Sequence, residues 1–150
     1  MVSILVATVV ERPALAIRVE AEPGELMRAL DAALPALFAH LEALGEEGAG
    51  KPYLRYLGFT GAGRMVVEAG VETRSPMPSG PGVESVVLPG GEAAVADVRG
   101  DSAEVARAHE ALDRWMERSG RAPASAREEL HLETRGAWGH VRLIQPLEPE

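Results

Sequence analysis

Apolar and β-branched residues open the chain from Ile4 to Val10, and after Arg12-Pro13 a second extended run follows, Leu15-Ala16-Ile17-Arg18-Val19. This reads as a pair of strands joined by a turn at Arg12-Pro13. Pro23 suits a first helical position, and Leu26, Leu30, Leu34, Leu37, Leu41 and Leu44 recur at three- and four-residue steps up to Gly45. The spacing predicts an amphipathic helix with one apolar stripe. Pro35 falls inside it and is expected to kink or split it, because proline lacks an amide donor and its ring crowds the preceding turn. Tyr53 to Phe59 and Met65 to Thr73 read as two further strands around a hairpin turn at Gly61-Ala62-Gly63.

The order then repeats at a period of about seventy residues. Val83 to Leu88 and Ala93 to Arg99 are strands around Pro89-Gly90-Gly91, a helix follows, and Glu128 to Glu133 and Trp138 to Ile144 close the set. Asp101 with Glu104 three residues on makes a capping box. Val105, Ala108, Leu112, Trp115 and Met116 form the buried stripe of that helix before Gly120. The segment Ser75-Pro76-Met77-Pro78-Ser79-Gly80-Pro81-Gly82 cannot hold regular structure and reads as a connection. The expected fold is therefore one α+β domain over residues 1–150, made of two pseudo-symmetric strand-helix-strand-strand repeats (about 1–74 and 83–146, joined by 75–82). Its antiparallel sheets carry helices on one face and leave the other for a central ligand groove.

Composition narrows the chemistry. The net charge of -8, with no run of Lys or Arg, disfavours nucleic acid as a partner. The absence of cysteine excludes disulfides, thiolate nucleophiles and cysteine-bound metal or iron-sulfur sites. The apolar opening is too short to cross a bilayer and has no basic flank, so a cytoplasmic protein without membrane contact is expected. No phosphate loop, nucleophile elbow, zinc-protease helix or dinucleotide fingerprint occurs, and no cofactor is expected. His131 and His140 read as rim residues, since neither has a second ligand at helical metal-binding spacing. His109 reads as a partly buried packing residue, and the acidic C-terminus as a solvated end.

Several stretches together resemble one known family. They are Glu22-Pro23-Gly24-Glu25-Leu26 entering the first helix, Lys51-Pro52-Tyr53-Leu54-Arg55-Tyr56, and Val67-Glu68-Ala69-Gly70-Val71. The second half adds Leu88-Pro89-Gly90-Gly91, Arg114-Trp115-Met116-Glu117-Arg118-Ser119-Gly120 and Arg127-Glu128-Glu129-Leu130-His131-Leu132. In that order the chain resembles the GyrI-like effector-binding domains, which also serve as ligand-binding parts of AraC-type and MerR-type transcription regulators. His131 stands where the family usually has tyrosine, and Glu72-Thr73 replaces a customary Pro-Val. No helix-turn-helix sequence precedes the domain, which suggests a stand-alone form. The resemblance implies a central pocket for lipophilic, often cationic, compounds with a glutamate as counter-charge. It also implies, for some stand-alone relatives, hydrolysis of strained electrophiles in the same pocket.

Strand alternation assigns residues to that pocket. With Leu130 and Leu132 under the helix, Glu129 and His131 fall on the free face. With Met65, Val67, Ala69 and Val71 on the core face, Glu68 joins them there. Superposing the repeats adds Leu54 and Tyr56, and the last strand adds Trp138, whose ring offers stacking area to an apolar or cationic ligand. The expected ligand set is Glu129, Glu68, Tyr56, Leu54, His131 and Trp138. The leading expectation is a small-molecule binding protein. A hydrolase in which Glu129 activates water and Tyr56 orients substrate is the alternative. A third reading is an interaction module of gyrase-inhibitor type, and a protein partner or a homodimer is left open.

Overall fold

The computed structural model describes residues 2–45 and 50–150, so the assignment of one domain to 1–150 also spans Met1 and residues 46–49, which lie outside the described residues. The chain runs β1 (Ile4–Val9), β2 (Arg12–Ala21), a 3-10 turn (Pro23–Glu25), α1 (Leu26–Ala43), β3 (Pro52–Phe59), β4 (Met65–Glu72), β5 (Glu84–Leu88), β6 (Gly91–Gly100), α2 (Ser102–Ser119), β7 (Glu128–Arg135) and β8 (Trp138–Pro146). The fold is α+β, and every strand pairing described is antiparallel.

Two compact units emerge, one of residues 12–88 and one of residues 1–11 with 89–150. In the 12–88 unit the strands stand in the order β3-β4-β2-β5. Leu15, Ile17 and Val19 of β2 and Val67, Ala69 and Val71 of β4 face Leu30, Leu37 and Leu41 of α1 across an apolar core. In the other unit the order is β1-β6-β8-β7. There Ala94, Ala96 and Val98 of β6 and Val141 and Leu143 of β8 pack on Ala108 and Leu112 of α2.

These pairings correct the expected hairpin of the first two strands. No turn forms at Arg12-Pro13, because both residues already belong to β2. β1 pairs with β6, Leu5 standing opposite Val95, while β2 pairs with β5, Leu15 opposite Ser85. Each sequence repeat thus gives its first strand to the sheet built by the other. The cause lies in the Val10-Glu11 link: a two-residue hairpin needs positive φ, and among the described residues only glycines adopt it. The chain therefore runs on, extended, into the strands of the 12–88 unit. At the equivalent link Gly90 lies so close to the first that a Cβ there would sit 2.6 Å from the Glu11 amide nitrogen.

The helices follow their sequence signals unequally. α2 has Asp101 as N-cap, its carboxylate accepting from the Glu104 amide at 3.0 Å, and Gly120 as a left-handed C-cap at φ 70. α1 has no side-chain cap and runs unsplit through Pro35. The 75–82 connection holds no helix or strand, but it is pinned: His40 Nε2 lies 2.7 Å from the Pro78 carbonyl and Met77 packs on the core.

Candidate functional site

On the face of the 12–88 sheet away from α1, one row crosses three strands. Arg18 on β2 and Arg55 on β3 both stand in register with Glu68 on β4. Glu68 is only 1% exposed. Its Oε2 accepts from Tyr53 Oη at 2.9 Å and from Arg55 Nε at 2.8 Å, and Arg55 Nη2 also lies at 2.8 Å. Its Oε1 is approached only loosely by Arg18 Nη2, at 3.9 Å. Burying a carboxylate costs several kcal/mol unless it is paired, and the two short arginine bonds with the phenol donor meet that cost. A second pair, Arg12 Nη1 to Glu72 Oε2 at 2.7 Å, lies further along the same face.

Gly70 makes the row possible. It stands opposite Tyr53, and a Cβ at Gly70 would meet the Tyr53 ring and hydroxyl at 2.7 Å and the Leu15 carbonyl oxygen at 2.6 Å. Tyr53 is accordingly buried at 1% exposure, with its ring lying over the glycine and its hydroxyl at Glu68.

In the other unit the helix-free face carries Glu128 and Leu130 of β7 and Trp138, His140, Arg142 and Ile144 of β8. The register fixes this, since Glu128 stands opposite Ile144 and Leu130 opposite Arg142, while the helix-side core holds Val141 and Leu143. Glu128 is 2% exposed. Arg142 donates to Asp97 at 2.8 Å through Nε, and this bond holds the Asp97 carboxyl below its ordinary value against the cost of desolvation. Trp138 stands on the face expected for it, partly exposed.

The same register inverts the expected placement of Glu129 and His131. They stand opposite Leu143 and Val141, on the α2 side. Leu130 takes the free face, and Leu132 falls at a β-bulge between His131 and Glu133. The reason is α2: His109 reaches down from it to place Nε2 at 3.2 Å from Glu129 Oε2. His131 Nε2 lies 3.2 Å from Oε1 but is not aligned for a hydrogen bond, so that contact is electrostatic. Arg127 holds the far side of His109, with Nη1 at 3.2 Å from Nδ1, and reaches Asp113 at 2.7 Å and Gln145 at 3.1 Å. Desolvation alone would raise the Glu129 pKa, but the hydrogen bond from His109 and the proximity of His131 outweigh it and bring it to about 2.

Leu54 and Tyr56 also stand on the helix side, opposite Ala69 and Val67. Leu54 packs against the α1 core and Tyr56 is exposed. Leu54 and Glu129 thus occupy equivalent positions, each on the helix side of its unit and not on the free face expected for them. The free face of the 12–88 unit instead carries Tyr53, Arg55 and Arg18, and that of the other unit carries Glu128. The alternation Tyr53-Leu54-Arg55, read against Val67-Glu68-Ala69, contained the signal for the first two. Among the described residues no cluster of His, Cys, Asp and Glu is placed to hold a metal ion, and no helix is long and apolar enough to cross a membrane.

The EcmrR C-terminal domain superposes with a TM-score of 0.73 at 11% identity, covering 100% of this chain and 99% of that one. In the EcmrR–DNA complex the chain spans 58% of EcmrR. SAV2435 bound to tetraphenylphosphonium aligns at TM-score 0.57 and 13% identity, over 97% of this chain and 94% of that one. A hydrolase from Listeria innocua aligns at 0.61 and 13%, over 97% and 91%. No curated protein matches the sequence. Residues 6–135 match the GyrI-like small molecule binding domain, and the chain belongs to that family.

Proposed function

We propose that this protein binds a lipophilic organic cation on the helix-free face of its 12–88 unit, with Glu68 as the counter-charge and the Tyr53 ring beside it. The observation that carries the reading is a carboxylate only 1% exposed, turned away from the helix and held beside an aromatic ring. Such a group keeps its charge out of water, where attraction to a delocalised cation is least screened. The binding of tetraphenylphosphonium by SAV2435, a protein of like fold, supplies a probe. Trp138 offers a second stacking surface in its own unit. Leu54, Tyr56, Glu129 and His131 have no direct ligand contact in this proposal. Glu129 instead holds α2 on its sheet.

A hydrolase working through Glu129 is less well supported, because a carboxylate with a pKa of about 2 is a poor proton acceptor at neutral pH. Calorimetric titration with tetraphenylphosphonium, on wild type and Glu68→Gln, tests the proposal. The amide keeps the shape and an acceptor for Tyr53, so a loss of tenfold or more in affinity, about 1.4 kcal/mol, is expected with the fold retained. Equal affinity in the two proteins would remove Glu68 from the site.

A further inference from the structure

The two oxygens of Glu68 are not equivalent. Oε2 is saturated by Tyr53 and Arg55, whose side chain is only 14% exposed. Oε1 has Arg18 Nη2 at 3.9 Å, on a side chain that is 52% exposed. Arg18 and Arg55 occupy the same register position on the strands either side of Glu68, so one sheet row supplies a tight, buried partner and a loose, solvent-exposed one. The short bonds of Arg55 are directional and desolvated. The contact of Arg18 is neither, so of the two arginines it is the one that a competing cation can displace.

We infer that Arg18 is a built-in stand-in for the ligand's charge: its guanidinium stands 3.9 Å from Glu68 Oε1 and is displaced when an organic cation arrives. This rests on the reading that Glu68 is the counter-charge, and adds to it a residue that sets affinity and selectivity. Arg18 keeps the buried carboxylate from being left with one open oxygen, and it makes every cationic ligand compete with an internal one. A neutral ligand gains nothing from Oε1 and meets no such competition. Arg18 thus sets a threshold, passed only by cations that bring enough apolar surface to offset the lost ion pair.

The test compares wild type, Arg18→Ala, Arg18→Gln and Arg18→Lys by calorimetry, with tetraphenylphosphonium as the cation and triphenylphosphine oxide as a neutral probe of similar bulk. Removing the charge, by Ala or Gln, is expected to tighten tetraphenylphosphonium binding about fivefold, while Lys stays close to wild type and the affinity for the neutral probe changes less than twofold in every variant. Two neutral variants of different volume guard against a folding defect in one of them, and circular dichroism confirms the fold of each. Unchanged or weaker cation binding in both neutral variants overturns the role of Arg18, and leaves the Glu68 reading standing if Glu68→Gln still loses affinity. An equal gain for the neutral probe also overturns it, because the effect would then be room and not charge. Absence of tetraphenylphosphonium binding in all forms, the neutral variants included, removes the Glu68 reading and this inference together.

Discussion

His109 reaches from the middle of α2 to place its Nε2 3.2 Å from Oε2 of Glu129, a strand carboxylate 8% exposed beneath that helix. The contact ties helix to sheet at a point where hydrocarbon packing would be the usual solution. It makes part of the stability of this unit depend on a charge.

The dependence has a definite sign. The Glu129 pKa in the folded protein, about 2, lies below the ordinary value of 4.5. The group therefore contributes its full stabilisation above about pH 4.5 and loses it as pH falls toward 2. The size is on the order of 3 kcal/mol. Urea denaturation followed between pH 7 and pH 2.5 is expected to show the midpoint falling through this window. In Glu129→Gln the acid-dependent part of that fall shrinks, and stability at pH 7 is lower from the outset.

Gly70→Ala should destabilise the protein, although alanine is ordinarily the better strand residue. A Cβ there would press on the Leu15 carbonyl and the Tyr53 ring, and the backbone atom cannot move aside. Overpacking of this kind costs about 1–3 kcal/mol. A fall in Tm of roughly 3–10 °C is expected by calorimetry, and no change or a rise would show that the ring is free to leave.

Tyr53→Phe removes one donor from a buried carboxylate and leaves the ring in place. The expected loss is about 1.5–3 kcal/mol, the usual size for a hydrogen bond to a charged group. Arg55 keeps Glu68 paired, so the fold survives. Equilibrium unfolding in urea at pH 7 measures the difference, and a stability equal to wild type would mean that the phenol bond adds nothing.

Asp101→Ala removes the N-cap of α2, at an expected cost of about 1 kcal/mol. α1 has no side-chain cap to lose, and alanine at Glu25, its N-cap residue, is expected to change stability by less than half of that. Thermal unfolding of the two variants side by side checks the contrast.

The elements and their doubling were legible because each signal is local. The leucine spacing of α1, the Asp101 box and Gly120 at the end of α2, and the glycines between β3 and β4 act within a few residues of one another. Strand partnership was not legible. Nothing near Val10 and Glu11 says which strand β1 will pair with, and the exchange with β5 is decided by residues eighty positions away. The face of β4 was readable because Val67, Ala69 and Val71 agree. That of β7 was not, because both of its alternating sets hold groups that can be buried. Leu130 and Leu132 have the apolar claim, yet His109 and Arg127 supply enough polar partners to draw Glu129 under α2 instead. Leu54 and Tyr56 follow the register of β3 on β4, which sets Tyr53 and Arg55 on the helix-free face in their place.

A crystal structure of the protein with tetraphenylphosphonium measures most directly whether the helix-free face of the 12–88 sheet takes the ligand. The cation should lie against the Tyr53 ring with its charged centre nearest Glu68 Oε1, and Arg18 turned out into solvent. Density for it on the helix side, against Leu54, Tyr56 or Glu129, with Arg18 still beside Glu68 Oε1, would contradict the assignment.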